Sequence, residues 1–104
     1  MSNDALMDVD EALTIARALG DRTRFEILSR LAARREPLAC LELRESLKIN
    51  AATLSHHMKE LEAAGLIESA HAGRCVNYVL RRDALERFAA GLREAFVGAG
   101  QPPR

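Results

Sequence analysis

The hydrophobic residues recur with two different periods, and the changes of period divide the chain into elements. Up to residue 64, apolar positions return every three or four residues, which is typical of amphipathic helices. In the stretch that ends at residue 80, apolar and polar positions alternate, which predicts a strand. The helical spacing returns from residue 83. We therefore expect four helices, a β-hairpin and a fifth helix, at residues 5–18, 21–34, 40–48, 51–64, 66–71, 75–80 and 83–97.

Helix breakers and caps fix the expected ends of the first two helices. Gly20 ends the first helix, and Pro37 ends the region of the second because proline cannot continue a helix. The second helix would begin at Asp21, or at Thr23 with Glu26 three residues later as a capping box.

The later elements carry similar signals. Asn50 is expected to cap the fourth helix, and Gly65 to end it in the left-handed conformation. The hairpin turn spans residues 72–74, with Gly73 at its tip. Asp83 is the expected cap of the last helix, and a frayed tail is expected from about residue 98.

The fourth helix has one apolar face and one polar face. Leu54, Met58 and Leu61 repeat at spacings of four and three, so they should point inward. His57 falls on the border of that buried face. The opposite side carries small, hydroxyl, imidazole and ammonium groups, from Ala52, Ser55, His56 and Lys59, with Thr53 at the N-terminal end.

A short helix, a tight turn and a second short helix are typical of a helix-turn-helix, whose second helix enters the major groove of DNA. Small and hydroxyl side chains there can reach base edges, and a lysine can reach a phosphate. Arg74, on the hairpin, would contact DNA from the wing. On periodicity alone, the same polar face is equally typical of a solvated helix surface.

Composition and charge fit one domain of 104 residues, with 48% hydrophobic and 29% charged residues. The net charge is zero, which on its own argues against a nucleic-acid partner. The charge is unevenly distributed, however. Residues 1–11 hold four acids and no base, whereas residues 48–82 hold five bases, three acids and all three histidines. Because local fields guide binding more than the total charge does, a DNA partner remains compatible with this chain.

Cellular location is also predicted from what the sequence contains. No apolar run approaches the roughly 20 residues of a membrane span. The first ten residues are acidic and contain no apolar signal-peptide core. We therefore expect a cytoplasmic protein without a membrane partner, in which both cysteines are reduced by default.

Three segments together resemble the ArsR/SmtB family of bacterial winged-helix repressors. They read L-G-D-R-T-R-F-E-I-L, then L-E-L-R-E-S-L-K-I-N-A-A-T-L-S-H-H-M-K-E-L-E-A-A-G-L-I, then G-R-C-V-N-Y-V-L, in the family's order and spacing. The resemblance covers about residues 5–97. It implies a homodimer held by the first and last helices, which binds an imperfect palindrome over its own promoter and is released by an inducer. The apolar stripes of residues 6–16 and 85–96 independently suit such an interface.

The chain lacks the ligand residues of the two metal sites that are found in the family it resembles. One family site has a Cys-x-Cys pair at the start of the third helix, and those positions are Ala39 and Leu41 here, with Cys40 between them. The other uses Asp, two His and Glu on the last helix, but this chain has no histidine after His71. We therefore expect no metal site and no cofactor, and the inducer is not identified by the sequence.

The two cysteines are compatible with a thiol-based inducing signal. Cys40 shares a face with Leu43 and Leu47, so a buried structural role is favoured over reactivity. Cys75 follows Arg74, whose charge could lower the pKa of the thiol. A redox or thiol-reactive sensor that uses Cys75, with or without Cys40, is the alternative to a structural role.

The sequence also bears on two other classes of function. A winged-helix module that binds protein and has no operator of its own is supported only by the zero net charge. An enzyme is not expected, because the chain has neither a glycine-rich phosphate loop nor a nucleophile elbow.

Overall fold

The computed structural model describes residues 7–73 and 75–98, without the side chains of Ala72 and Cys75. The chain forms a helical domain with a small antiparallel sheet, as the winged helix-turn-helix prediction requires. The part of the predicted first helix before residue 7, and the predicted tail beyond residue 98, lie outside the described residues.

The first two helices are α1, Val9–Leu19, and α2, Arg22–Ala32. Asp8 begins α1, because its carboxylate accepts a hydrogen bond from the backbone N–H of Glu11 at 2.8 Å. Residues 7 and 8 therefore precede the helix, and the prediction that placed them inside it was wrong.

The cap of α2 decides between the two predicted alternatives. The Asp21 carboxylate accepts from the backbone N–H of Arg24 at 3.0 Å, and this bond lowers the pKa of Asp21 below its usual value. The capping box of Thr23 and Glu26 was wrong, because Thr23 lies inside the first turn, after the cap.

The helix-turn-helix consists of α3, Cys40–Leu47, and α4, Ala51–Ala63. A two-residue strand, β1 (Leu38–Ala39), precedes α3 and was not predicted. Its residues Leu38 and Ala39 pair with Tyr78 and Asn77.

The wing consists of β2, Ile67–Ala72, and β3, Cys75–Leu80, in a sheet of order β1-β3-β2. The two long strands are antiparallel, with Ile67 opposite Leu80 and Ala72 opposite Cys75. The predicted left-handed glycines are confirmed, since Gly65 has φ 78° and Gly73 has φ 66°.

The last helix is α5, Arg82–Arg93, followed by a π-helical turn, Glu94–Gly98. The prediction of Asp83 as its cap was wrong. Arg81 is the cap residue, and no side chain bonds the helix N-terminus there. The Asp83 carboxylate is instead occupied by the Arg81 guanidinium, whose Nε and Nη2 donate to it at 3.1 and 3.0 Å.

The core lies where α1, α2, α3, α4 and the base of the wing meet. It is built from aliphatic side chains and one methionine, because the aromatic residues are too few to fill it. Its buried members are Ile15, Ala18, Ile27, Leu28, Leu31, Leu38, Leu43, Leu54, Met58, Leu61, Leu66, Ile67, Leu80 and Ala84. Phe25, although apolar, is 58% exposed on α2.

None of the helices in the described part of the chain is both long enough and apolar enough to cross a lipid bilayer.

Candidate nucleic-acid interface

The turn between α3 and α4 is tight because Lys48 adopts the left-handed conformation, with φ 59° and ψ 45°. The backbone N–H groups of Lys48 and Ile49 both donate to the carbonyl of Arg44, at 2.8 and 3.3 Å. Asn50 then caps α4 as predicted, because its Oδ1 accepts from the backbone N–H of Thr53 at 2.8 Å. The start of α4 is therefore fixed by its own sequence.

The inward face of α4 is confirmed. Leu54, Met58 and Leu61 are at most 1% exposed, so they anchor α4 to the rest of the domain. Their burial fixes which residues remain outside. The residues predicted to read or approach DNA are all exposed on this helix: Ala52, Thr53, Ser55, His56 and Lys59. Their contacts with DNA stay a prediction.

The wing extends from the sheet as a hairpin whose exposed residues include Glu68, Ser69 and His71. Gly73 follows β2 in the left-handed conformation. Arg74, the predicted wing contact, lies outside the described residues, so its role stays a prediction.

Two arginines in this region are engaged in contacts within the domain, so fewer basic side chains are available to DNA than the sequence count indicates. Arg81 pairs with Asp83 at 3.0 Å and with Glu68 at 3.7 Å, and the hydrogen bonds from Arg81 lower the pKa of Asp83. Arg82 donates to the backbone carbonyls of Ala32 and Arg34, at 3.1 and 3.0 Å. Both arginines therefore join the last helix to its neighbours, and we do not count them as DNA ligands.

Two lysines of the helix-turn-helix remain exposed, Lys48 in the turn and Lys59 on α4. Phosphate contacts supply most of the non-specific affinity for DNA, and the contacts of these two side chains with phosphate stay a prediction.

Cys40 is half-buried at the first position of α3. Burial raises the pKa of its thiol, and the nearby Arg44 opposes that rise only in part. Because the thiolate is the reactive form, this environment favours the structural role predicted for Cys40. The side chain of Cys75 lies outside the described set, so its reactivity stays a prediction.

Comparison with known proteins agrees with this geometry. Residues 19–70 match the family model of the helix-turn-helix domain. An uncharacterized HTH-type transcriptional regulator of Bacillus subtilis, YceK, is 32% identical over 80 residues, which cover 77% of this chain and 80% of the relative. An ArsR-like transcriptional regulator from Rhodococcus is 30% identical in sequence. Its structure superposes with a TM-score of 0.74 over 83% of this chain and 79% of its own.

This chain belongs to the ArsR/SmtB family of winged helix-turn-helix regulators. It is therefore a DNA-binding transcriptional regulator. The fold is also shared with a homodimeric winged helix-turn-helix DNA-binding domain from Mycobacterium bovis. That domain is 20% identical, with a TM-score of 0.67 over 92% of this chain and 90% of its own.

The structure of this ArsR-family regulator also bears on the metal sites of its family. Ala39 and Leu41, at the positions of the Cys-x-Cys pair, flank Cys40 at the start of α3. Within residues 7–73 and 75–98, apart from the side chain of Cys75, no three His, Cys, Asp or Glu side chains converge as a metal ion requires. The expectation that the regulator needs no metal stays a prediction.

One polar cluster beside α4 was not predicted from the sequence. His57 was placed correctly at the edge of the core, and its side chain is 12% exposed. Its Nδ1 lies 3.4 Å from Arg24 Nη1 and 3.9 Å from Asp21 Oδ2, on the first turn and cap of α2. The Arg24–His57 contact joins positions 33 residues apart, and no local sequence motif predicts it.

Proposed function

We propose that this regulator is a homodimeric repressor that binds an imperfect palindrome over its own promoter and leaves it when an inducer binds. The observation that supports the dimer is an apolar surface on α1 and α5. These helices lie side by side, because Arg87 of α5 pairs with Glu11 of α1 at 2.9 Å and Gly91 lies against Met7.

This surface exposes large apolar side chains that α1 and α5 do not bury in each other. Val9 is 72% exposed, Leu13 is 47% exposed and Phe96, in the turn after α5, is 81% exposed. Leu92 of α5 and Val97 of the turn that follows it are exposed as well. A soluble monomer rarely exposes so many large apolar groups together, and a twofold-symmetric partner would cover them with its own copy of the same surface.

A dimer would also explain how a helix of 13 residues selects an operator. Two copies of α4 related by a twofold axis read two half-sites about one helical turn of DNA apart, which doubles the base contacts. The palindrome follows from the symmetry of the protein. Repression follows if the operator overlaps the promoter, since a bound dimer would exclude the polymerase.

The test uses the DNA upstream of the encoding gene and a shuffled duplex of equal length and composition. We expect fluorescence anisotropy to show tighter binding to the upstream duplex and a steep loss of affinity with salt, because phosphate contacts release counterions. In vitro transcription from that promoter should fall when the protein is added. Equal affinity for both duplexes would contradict an operator, and would instead favour a winged-helix module that binds protein. Tight binding without reduced transcription would contradict the repressor mode alone.

A thiol-based inducer is a second candidate, supported by one feature of the sheet. Ala39 pairs with Asn77, so the backbone of Cys40 lies beside the N-terminal part of β3, which begins at Cys75. With hydrogen peroxide as oxidant, the two thiols would give one disulfide and two molecules of water. The raised pKa of Cys40 would leave Cys75 as the first thiol to react.

The inducer is identified by a release assay on the operator complex, with metals, arsenite, peroxide and persulfides as probes. If the thiols carry the signal, Cys75→Ser should abolish release by peroxide, and mass spectrometry should find a Cys40–Cys75 disulfide in the wild type. Release of the Cys75→Ser protein at the wild-type concentration of peroxide would exclude Cys75 as the sensor. Release by a metal from the Cys40→Ser, Cys75→Ser double variant would contradict the expectation that no metal site exists.

A further inference from the structure

We propose that His57 is a positioning residue: through Arg24 it fixes the setting of the DNA-reading helix α4 against the corner between α1 and α2. This proposal rests on the role of α4 in operator binding proposed above. The juxtaposition that carries it is one guanidinium that contacts the C-terminus of α1 and the imidazole of α4 at the same time.

Arg24 is held firmly enough to act as a fixed reference. Its Nε donates to the carbonyl of Ala18 at 2.9 Å and its Nη2 to that of Arg17 at 3.4 Å. These are carbonyls of the last turn of α1, where a cation is favoured by the helix dipole. The Arg24 backbone N–H is bound by the cap residue Asp21. The guanidinium therefore belongs to the α1–α2 corner.

The remaining contact of this guanidinium crosses to α4. Arginine has only donors, so a bond from Nη1 to His57 Nδ1 requires a lone pair on that nitrogen. The neutral ring must then carry its proton on Nε2. Asp21 Oδ2, at 3.9 Å from the same nitrogen, is too distant for a hydrogen bond. The His57 side chain is only 12% exposed, so little water can compete for this contact.

The position of His57 on α4 makes this contact relevant to DNA. His57 follows His56 directly, and the centroids of the two rings are 5.7 Å apart. Leu54, Met58 and Leu61 hold α4 down by burial, which is non-directional and permits some rotation about the helix axis. A directional bond on the flank of that apolar face resists such rotation. It therefore determines how Ser55 and His56 are presented to the groove.

The effect on binding depends on the fraction of molecules in which α4 has the orientation that operator binding requires. Apparent affinity falls in proportion to the fraction of molecules whose α4 is correctly set. Loss of a hydrogen bond to a charged donor lowers the ratio of correctly set to wrongly set α4 by about tenfold, so affinity falls by up to about tenfold. We expect the loss to affect operator affinity but to change affinity for shuffled DNA by less than about twofold, since the phosphate-binding lysines are untouched.

The test compares two substitutions of similar size. His57→Leu removes the acceptor, whereas His57→Asn keeps an oxygen close to the position of Nδ1. We expect His57→Leu to weaken operator binding about tenfold, and His57→Asn to restore most of that loss. Arg24→Lys removes the planar guanidinium that contacts His57. In that background, His57→Leu should cause little further loss of operator affinity. Leu31→Val, a core change away from this cluster, controls for destabilisation, and all variants are measured where circular dichroism shows them folded.

A spectroscopic measurement adds an independent check. At alkaline pH, two-dimensional ¹H–¹⁵N spectra should show the His57 ring protonated on Nε2, and this preference should weaken in Arg24→Lys. The proposal is overturned if His57→Asn binds as poorly as His57→Leu, if His57→Leu acts equally in both backgrounds, or if the ring carries its proton on Nδ1. Ser55→Ala with His56→Ala separates the two hypotheses. If that variant also binds the operator normally, the role of α4 itself is wrong; if it binds poorly while the His57 variants bind normally, only the positioning role is wrong.

Discussion

Replacement of Leu13 by alanine tests the proposed dimer at a partly exposed residue of α1. Leu13 lies on α1 and leaves 47% of its surface exposed in the single chain. Full burial of a leucine is worth about 1.5–3 kcal/mol, so covering the remaining half contributes about 1 kcal/mol. A symmetric dimer contains two copies, so Leu13→Ala should cost about 2 kcal/mol and raise the dimer Kd by about 30-fold.

A matched control is available on α3. Leu41 is 56% exposed, slightly more than Leu13, but lies outside the α1–α5 surface. Sedimentation velocity over a concentration series should show Leu13→Ala dissociating at higher concentrations than wild type, with Leu41→Ala unchanged. Circular dichroism would confirm that both variants keep their helices. The interface is misplaced if Leu41→Ala dissociates and Leu13→Ala does not, and the dimer itself is excluded if the wild type is monomeric throughout.

Three further substitutions test the stability of the fold. Leu61→Ala removes a side chain that is 0% exposed and should lower the free energy of unfolding by about 2.7–5 kcal/mol in urea titrations. A loss below 1 kcal/mol would show that α4 is not anchored there. Asp21→Ala removes the cap of α2 and should cost about 1 kcal/mol at neutral pH. Because the folded state lowers the pKa of Asp21 below its ordinary value of 3.8, the contribution is complete above that pH and is lost as pH falls through the folded pKa. The wild type and Asp21→Ala should therefore converge in stability at acid pH, and a constant difference down to pH 2 would contradict the assignment. Lys48→Gly should stabilise the protein by about 0.5–1 kcal/mol, because relief of the left-handed conformation outweighs the added chain entropy. Thermal unfolding measures it, and a destabilised variant would mean that the lysine side chain itself contributes to the fold.

The features that could be predicted from the sequence are those fixed by local spacing. The inward set on α4 follows from a period of 3.6 residues, and the Asn50 cap follows from a polar residue directly before that pattern. The hairpin followed from glycine at its turn and alternation in Cys75–Leu80. In each case the determining residues lie within a few positions of one another.

The features that were missed depend on partners far apart in the chain. β1 has only two residues, too few for an alternating pattern, and exists because β3 pairs with it. The wrong prediction of Asp83 as a cap has a local cause instead, because the guanidinium of Arg81, two residues earlier, binds its carboxylate. The Arg24–His57 contact needed the packing of α2 against α4 to become visible.

The apolar faces show a different limit. Spacing identifies Val9 and Leu13 as one stripe of α1, but Ile15 and Ala18, on another side of that helix, enter the core. Periodicity reports that a face is apolar and does not report whether the same chain or a second one covers it. Phe25 shows the same limit, because it is apolar and nevertheless exposed on α2.

The most direct test of the central claim is the operator affinity of the Ser55→Ala, His56→Ala double variant. Its matched control is Ser69→Ala with His71→Ala, which removes the same two residue types from exposed positions on β2. If the outward face of α4 reads DNA, the α4 variant should lose about 1–3 kcal/mol for each base contact removed, while its affinity for a shuffled duplex changes little. The β2 variant should keep its preference for the operator. Wild-type discrimination between operator and shuffled DNA in the α4 variant would contradict the assignment of this helix as the reading element.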